Sequence, residues 1–371
     1  MIDGSPDARL SDVGEARLLA AIAQRLRPGG RASAFGVGDD GALIALGGRP
    51  SVVTCDLLVE DVDFRLAWAT WADVGAKAAM VNLSDLAAMG ARPRGLLLGV
   101  AAPTAARARD LLALVGSCHA VGRRHGAPVV GGDLSSTAGP LVISVTAVGQ
   151  AGAAILQRHR ARAGEVLCVT GSLGAAAAGL SLLEQPDRFR RLSPAHARRL
   201  SAAQRRPEAP VPLGAVLARS GQVSSAADVS DGLLGDVHHL LRPRVGVAID
   251  VGRLPVDAAT RAAARAATPS EAAARELWQR WALSGGEDFG LLLAVPVEQL
   301  ASVGRLCRRQ GVACTPIGRF VTGAGASLWP PTAAARAGAA FGHFGPRGAR
   351  KTAQTAAMSS GMAANRSATR P

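Results

Sequence analysis

The most informative part of this 371-residue sequence is DVGAKAAMVNLSDLAAMGARP, residues 73–93. Most of these residues are apolar and recur at helical spacing, so the sequence predicts a buried helix over residues 73–89. Asn82 and Asp85 lie three positions apart and share one face of that helix, within two turns of Lys77. Polar groups on a buried helix need partners, which here are either a structural hydrogen-bond network or a metal and phosphate site.

Outward from this helix, short apolar runs bounded by Gly, Pro or Asp predict strands, and a second helix is predicted over residues 104–124. The predicted strands of the first half are residues 42–46, 51–56, 95–100, 128–133 and 141–149. After a Gly- and Arg-rich stretch at residues 150–165, strand and helix patterns resume from Val166. We therefore predict a mixed α/β (α+β) protein with domains over residues 1–150 and 151–345, and with most strands in the first half.

The formal net charge of +14 is concentrated in two segments of the chain. Residues 185–212 and residues 346–371 each carry a net charge of +5, and the latter segment has no acid and no aromatic residue, which predicts a disordered basic tail. The chain has seven Phe, five Trp and no Tyr, and it lacks the interleaved aromatics of RNA- and DNA-binding proteins. We expect no nucleic-acid partner.

Other classes of function also lack support in the sequence. The cysteines, at positions 55, 118, 168, 307 and 314, have neither metal-ligand nor disulfide spacing, which favours a reducing cytoplasm. Residues 1–10 predict no secretory signal, and the uncharged residues 166–183 contain Thr, Ser and Gly that indicate strand, turn and helix, so we expect no membrane partner. No Walker loop, H-E-x-x-H or G-x-S-x-G motif is present.

Carboxylates recur at predicted strand and helix ends, beside Gly, Ser or Thr. They are Asp39, Asp40, Asp56, Asp85, Asp133, Asp228, Asp231, Glu287 and Asp288. Each one alone can be explained as a cap or a turn former. Together they are hard oxygen ligands of the kind that Mg²⁺ prefers, and dispersed aspartates could hold several ions around a polyphosphate. The G-x-G-x-x-G match at residues 36–41 contains two of them and precedes a strand, so it indicates an Asp-Gly turn or a metal site rather than a dinucleotide site.

Six motifs in order carry a resemblance to a known family. They are GVGDDGALI (36–44), TCDLLVEDVDF (54–64), DVGAKAAMVNLSDLAAMGARP (73–93), VVGGDLSS (129–136), DVSDGLLGD (228–236) and LSGGEDFGLL (283–292). Over roughly residues 10–345 the chain resembles the thiamine-monophosphate kinases, of the superfamily that includes aminoimidazole ribonucleotide synthetase. The resemblance implies a two-domain synthetase-like fold whose N-terminal sheet pairs across a homodimer. It also implies direct phosphoryl transfer from ATP to thiamine monophosphate with several Mg²⁺ ions and no phosphoenzyme.

The resemblance also implies roles for individual residues. The implied metal ligands are Asp40, Thr54, Asp56, Asp85, Asp133, Asp228 and Asp231, and the implied nucleotide contacts are Gly132, Asp133, Arg158 and Ser230. Asp56, Asp85, Asp133 and Arg158 are the expected catalytic residues, and Glu287 and Phe341 are expected to contact thiamine. The chain departs from the family pattern at Asp63, where a substrate-contacting histidine is usual. An aspartate there would weaken phosphate binding unless it recruits another Mg²⁺ or turns away.

Two further readings of the same motifs stay open at this point. One is a related ATP-dependent synthetase, although selenophosphate synthesis would call for a reactive cysteine near the N-terminus, and the first cysteine, Cys55, lies in a strand motif. The other is a paralogue that binds thiamine phosphates without turnover.

Overall fold

The structure is a computed structural model that describes residues 33–35, 39–44 and 50–332, with backbone alone for residues 33–35. Four of the sequence predictions lie outside these residues. They concern the absence of a signal in residues 1–10, Phe341, the tail at 346–371 and the glycines at 36 and 38.

The first half of the described chain forms a six-stranded mixed sheet with two helices. Its elements are β1 (Ser33–Phe35), β2 (Ala42–Ile44), β3 (Ser51–Val59), α1 (Trp71–Ala88), β4 (Arg92–Pro103), α2 (Ala108–Arg124), β5 (Val129–Thr137) and β6 (Val142–Gln150). The strand order is β1-β2-β3-β6-β4-β5, in which only β4 and β5 pair in parallel. Because β5 stands at the edge, only one of its flanks is paired.

The second half forms another six-stranded sheet, with helices around it. Its elements are β7 (Val166–Thr170), α3 (Ala175–Glu184), α4 (Pro194–Arg205), α5 (Val211–Ser220), β8 (Ser225–Asp228), α6 (Leu233–Asp236), β9 (Val245–Asp250), α7 (Ala258–Ala267), α8 (Glu271–Ser284), β10 (Leu291–Val295), α9 (Leu300–Arg309), β11 (Cys314–Thr322) and β12 (Ala326–Trp329). The strand order is β12-β9-β11-β7-β10-β8. The predicted mixed α/β class is confirmed.

The expectation that most strands lie in the first half is wrong, because each half of the described chain holds six. The sequence patterns missed β11 and β12. Strand β11 contains Pro316 and Gly318 at a register shift, and much of it is half-buried or exposed, so it lacks a continuous apolar run. The uncharged residues 166–183 are divided between β7 and α3. Among the described residues, no helix has the length and apolar character that crossing a membrane requires.

Helix α1 begins two residues earlier than predicted because Thr70 caps it. The Thr70 side chain accepts a hydrogen bond from the Asp73 N–H (3.1 Å), and the Asp73 carboxylate accepts one from the Thr70 N–H (3.0 Å). This reciprocal capping box satisfies two backbone donors that the helix itself leaves free. The helix stops where Gly90 adopts a left-handed backbone at φ 68°.

Helix α1 lies between the two halves of the molecule. It packs on α2, β3 and β6 of the first half and also contacts α5 and β8 of the second half. At Gly214 of α5, an added Cβ would lie 2.0 Å from the Ala87 carbonyl oxygen, so glycine allows the two backbones to approach closely. The second half of α1 is therefore held against both sheets, and its polar residues lie at their junction.

Candidate active site

The polar face of α1 organises the junction between the two sheets. Asn82 is fully buried, accepts a hydrogen bond from the Asp56 N–H (3.1 Å) and donates one to the Ala78 carbonyl (3.0 Å). Its partners are backbone groups, so Asn82 belongs to a structural network that ties α1 to β3. Asp85, one turn further on, accepts a hydrogen bond from the Thr54 hydroxyl (2.5 Å).

A carboxylate group forms where three chain segments meet at Asp85. Asp40 follows the first described strand, Asp85 lies on α1 and Asp228 ends β8. One carboxylate oxygen from each lies within 4.8 Å of the others. Ser84, the neighbour of Asp85 on α1, donates a hydrogen bond to Asp228 (2.7 Å) and so joins the second sheet to the group.

Electrostatics make this group costly in the absence of a cation. Burial raises the pKa of Asp85 well above its ordinary value, and the charges of Asp56, Asp228 and Asp40 add to the shift. Burial likewise raises the pKa of Asp40 to about 7 and that of Asp228 to about 6, although Arg158 opposes both shifts. Like charges held together at low dielectric disfavour ionisation unless a positive charge is close by.

Arg158 supplies part of that positive charge. Its guanidinium donates to Asp40 Oδ1, and its backbone N–H donates to Asp39 Oδ2 (3.3 Å). Burial lowers the pKa of Arg158, but the hydrogen bond to Asp40 and the charges of Asp40, Asp228 and Asp39 together outweigh burial, so the net shift is upward. Arg158 therefore stays charged against the carboxylates.

The residues of this group fit a magnesium site. Asp40 Oδ2 is buried and has no hydrogen-bond partner among the described residues, so one carboxylate oxygen of this group has free ligand capacity. All the donors are hard oxygens, as Mg²⁺ requires. A divalent cation would also relieve the mutual repulsion that raises the three pKa values.

A cavity of about 220 Å³ opens beside the carboxylate group. It is lined by Asp56, Asp63, Asp85, Asp228, Ser230, Asp231 and Glu287, among others. The loops that follow β8 and α8 are tied together here, because the Glu287 N–H donates to the Ser230 carbonyl (2.8 Å). The structure thus brings most of the predicted site residues to one cavity.

Asp63, at the position where the family pattern has histidine, is turned toward the backbone. The Asp63 carboxylate accepts a hydrogen bond from the Val59 N–H (2.9 Å) at the turn that follows β3, and the residue is buried. Asp63 lines the cavity, but its Oδ2 atom accepts the hydrogen bond from Val59 at the end of β3.

A larger cavity, of about 660 Å³, adjoins the same loop. It is lined by the start of α3, by Arg199 of α4, by Arg206 just after α4, and by Glu287, which both cavities share. Asp288 closes one wall by accepting a hydrogen bond from the Gly174 N–H (2.7 Å) at the start of α3. Burial raises the pKa of Asp288 to about 7 despite this capping.

Gly132 and Asp133 do not join the group within one chain. Asp133 on β5 pairs with Gly99 on β4, Gly99 pairs with Ser144 on β6, and Ser144 pairs with Leu57 on β3. These four residues therefore form one row across the sheet. Aligned residues share a sheet face, so Asp133 faces away from α1, whereas Asp56 is one residue out of that row and faces α1. Three strand spacings, about 14 Å, also separate β3 from β5. At Gly132 a Cβ would lie 1.9 Å from the Leu98 carbonyl oxygen, so close strand packing already requires glycine.

Two contributors to the site received no role from the sequence. Ser84 holds Asp228, and Lys77 pairs with Glu287 at 2.8 Å. The signal that marks both is the one that singled out Asn82 and Asp85: a polar side chain on a helix whose neighbours are apolar.

Comparison with known proteins assigns both halves of the chain to known domain families. Residues 38–151 match the family described as AIR synthase related protein, N-terminal domain, and residues 162–329 match the corresponding C-terminal domain. The chain is 40% identical over 280 residues to thiamine-monophosphate kinase of Mycobacterium tuberculosis H37Rv, an alignment that covers 73% of this chain and 79% of the relative.

Two solved structures have a similar fold over most of the chain. The chain is similar to thiamine-monophosphate kinase from Stenotrophomonas maltophilia K279a, with 33% identity, a TM-score of 0.68, and coverage of 85% of this chain and 96% of the other. It is also similar to AaThiL complexed with AMPPCP and TMP, with 26% identity, a TM-score of 0.76, and coverage of 92% and 100% respectively.

Proposed function

This chain belongs to the thiamine-monophosphate kinase family, and we propose that it transfers the γ-phosphoryl group of ATP to thiamine monophosphate, releasing thiamine diphosphate and ADP. The observation that carries the proposal is the buried group of Asp40, Asp85 and Asp228, with Arg158 beside it. The relative solved with AMPPCP and TMP supports the same pair of ligands for this chain. The activity is that of a phosphotransferase with a phosphate group as acceptor.

The chemistry asks the protein for position and charge rather than for a covalent intermediate. Two polyanions must be brought into line, and the charge on the transferring group must be neutralised. The acceptor phosphate is already ionised near neutral pH, so no general base is required. We therefore propose direct in-line transfer without a phosphoenzyme.

The carboxylates are the proposed magnesium ligands. Asp40, Asp56, Asp85, Asp228 and Asp231, with the hydroxyl of Thr54, would hold several ions at the junction of the two sheets. Bound there, Mg²⁺ would neutralise phosphate oxygens and align the two substrates. The Thr54 hydroxyl orients Asp85, and the Ser84 hydroxyl orients Asp228.

Arg158 and Ser230 are the proposed nucleotide contacts. The guanidinium of Arg158 is planar and permanently charged, which suits bidentate contact with phosphate oxygens. Its position beside Asp40 places a positive charge at the edge of the metal group. Ser230 lies on the wall of the adjoining cavity, between Asp228 and Asp231.

Glu287, Asp63 and Phe341 are the proposed contacts to thiamine monophosphate. A thiazolium cation suits a site rich in carboxylates and bounded by an aromatic ring. Glu287 lines both cavities, so it is the proposed contact to the thiamine part. Because Asp63 Oδ2 is engaged by the Val59 N–H, we expect it to oppose the acceptor phosphate less than a free carboxylate would.

We further propose that the enzyme is a homodimer and that Asp133 and Gly132 act across its interface. The sheet face opposite α1 carries exposed Leu57 and Leu97, which are 56% and 45% accessible, and Asp133 lies on the same face. Such exposed apolar residues on a sheet are typical of an interface. Pairing through this face would let Asp133 serve the partner's site as a metal and nucleotide ligand, with residues 1–150 as the dimerisation domain and 151–345 as the C-terminal domain.

ATP as co-substrate and the absence of paired cysteines among the described residues support a cytoplasmic location.

The proposal is tested by incubating the protein with ATP, Mg²⁺ and thiamine monophosphate and measuring products by chromatography. Thiamine diphosphate and ADP are expected in equal amounts. Release of ADP without thiamine diphosphate would favour a synthetase, and binding of thiamine monophosphate without any product would favour a paralogue that has lost turnover.

A further inference from the structure

Lys77 is a buried lysine at the junction of the two halves. The chain has two lysines, Lys77 and Lys351, and Lys77 is the one within the described residues. It lies on α1, two turns before Asp85, and its side chain is 4% accessible. Burying an ammonium group is costly unless it is paired and hydrogen-bonded, so its contacts carry information about its purpose.

The ammonium group of Lys77 joins three segments of the chain. It lies 2.8 Å from Glu287 Oε1, in the loop before β10, and 3.0 Å from the Asp63 carbonyl oxygen, in the turn after β3. Glu287 is equally buried, at 6% side-chain accessibility. The pair therefore links the first sheet's turn and helix to a loop of the second half, on the wall of the cavity beside the carboxylate group.

Glu287 adopts a backbone conformation that a simple loop would avoid. Its φ is 60°, in the left-handed region where side chains other than Gly, Asn and Asp are uncommon. Its N–H is engaged by the Ser230 carbonyl (2.8 Å). A glutamate held in such a conformation, with its carboxylate buried against a lysine, indicates that the direction of this carboxylate is functionally important.

We infer that Lys77 is a positioning residue which pairs with the Glu287 carboxylate and directs it toward the thiamine part of the substrate. This inference rests on the proposed function and deepens it. Without Lys77, this buried carboxylate would lose the positive charge that lies 2.8 Å from it and the contact that fixes its direction. Lys77 thus sets the affinity for the thiamine cation through Glu287, while the metal group and Arg158 act on the phosphates.

This role makes a prediction that direct contact with phosphate does not. If Lys77 acts through Glu287, its removal has no further effect once Glu287 has lost its charge. If the ammonium instead bound the substrate phosphate itself, the effects of the two changes would multiply.

The experiment measures KM and kcat for thiamine monophosphate in the wild type, Lys77→Met, Glu287→Gln and the double variant, at saturating ATP. Lys77→Met is expected to raise KM by about 10- to 100-fold, the scale of one lost charged hydrogen bond, with kcat and the KM for ATP within about twofold of wild type. The double variant is expected to have the same KM as Glu287→Gln. Arg65→Met, at a partly exposed ion pair with Asp61, is the matched control and should leave KM unchanged.

Three results would overturn the inference: a wild-type KM in Lys77→Met, a loss confined to kcat, or a double variant with a markedly higher KM than Glu287→Gln. If Lys77→Met does not fold because a buried carboxylate loses its ammonium partner, the comparison of Glu287→Gln with the double variant still decides, since both lack the carboxylate charge. Failure of the proposed function has a different signature, because the wild type would then form no thiamine diphosphate.

Discussion

At the scale of single residues, Asp85 is a carboxylate surrounded by other carboxylates. It accepts a hydrogen bond from Thr54, and the charges of Asp56, Asp228 and Asp40 all raise its pKa. Without a cation, a carboxylate in this position lowers the stability of the folded protein. With a cation bound, it would act as a metal ligand. Such a conflict between stability and activity is common at active sites.

Asp85→Asn is therefore expected to lower kcat/KM by about 100-fold or more, because a proposed metal ligand is lost. The same change should raise the stability of the metal-free protein by about 1–2 kcal/mol, since it removes like-charge repulsion and keeps an oxygen for the Thr54 hydroxyl. Assays of turnover, and thermal unfolding in EDTA, measure the two effects. Asp110→Asn, in the first turn of α2, is the control for activity and should leave kcat/KM unchanged. A variant that is destabilised in EDTA would contradict this view of Asp85.

At the scale of secondary-structure elements, the start of α1 depends on Asp73. The Asp73 carboxylate accepts from the Thr70 N–H and from Arg206, with Arg205 at 3.7 Å. Burial alone would raise the pKa of Asp73, but the hydrogen bonds from Arg206 and Thr70 lower it below the ordinary value of 3.8. Its folded-state pKa is thus depressed, so its contribution to stability is present above pH 3.8 and is lost as the pH falls through the folded-state value.

Asp73→Asn should therefore cost about 1–2 kcal/mol of unfolding free energy at pH 7, because the charged hydrogen bonds weaken while part of the cap remains. The difference from wild type should shrink as the pH falls below 3.8, where the wild-type carboxyl takes up its proton. Denaturant titrations at several pH values measure it. A difference that stays constant with pH would show that charge at Asp73 is unimportant.

The crossing of α1 and α2 depends on Gly75, where an added Cβ would lie 2.1 Å from the Leu114 carbonyl oxygen. Gly75→Ala is expected to cost about 1–3 kcal/mol, because the helices must separate. Gly116 on α2 is a matched control, since nothing lies within 4 Å of its added Cβ. Gly116→Ala should stabilise the protein by about 0.5–1 kcal/mol through helix propensity. Equal effects of the two changes in chemical denaturation would refute the close crossing.

At the scale of the whole molecule, the proposed dimer would connect assembly to activity through the open face of the first sheet. If Asp133 acts in the partner's site, breaking the dimer must also abolish turnover. Leu97→Asp places a charge on that face and should convert the protein to monomers with little activity, as seen by sedimentation velocity and product assay. Leu112→Asp, on exposed α2, is the control and should leave a functional dimer. A fully active monomer would contradict the role proposed for Asp133.

The sequence predicted much of the fold, because α1 and the buried strands have strong local patterns. It missed β11 and β12, whose pairing with β7 and β9 depends on partners distant in the chain. The confirmed family resemblance named the site residues, but sequence order could not show that Asp133 lies on the opposite sheet face from Asp56. Nor could it show that Asp63 caps Val59 or that Lys77 meets Glu287, because these contacts depend on loop geometry.

The most direct test of the central claim follows the γ-phosphoryl group of ATP itself. ATP labelled in the γ-phosphoryl group is incubated with the enzyme, Mg²⁺ and thiamine monophosphate, and the label is located by mass spectrometry. Direct transfer predicts that the label appears in thiamine diphosphate in an amount equal to the ADP formed. Label found solely in inorganic phosphate, with thiamine monophosphate unchanged, would contradict the account.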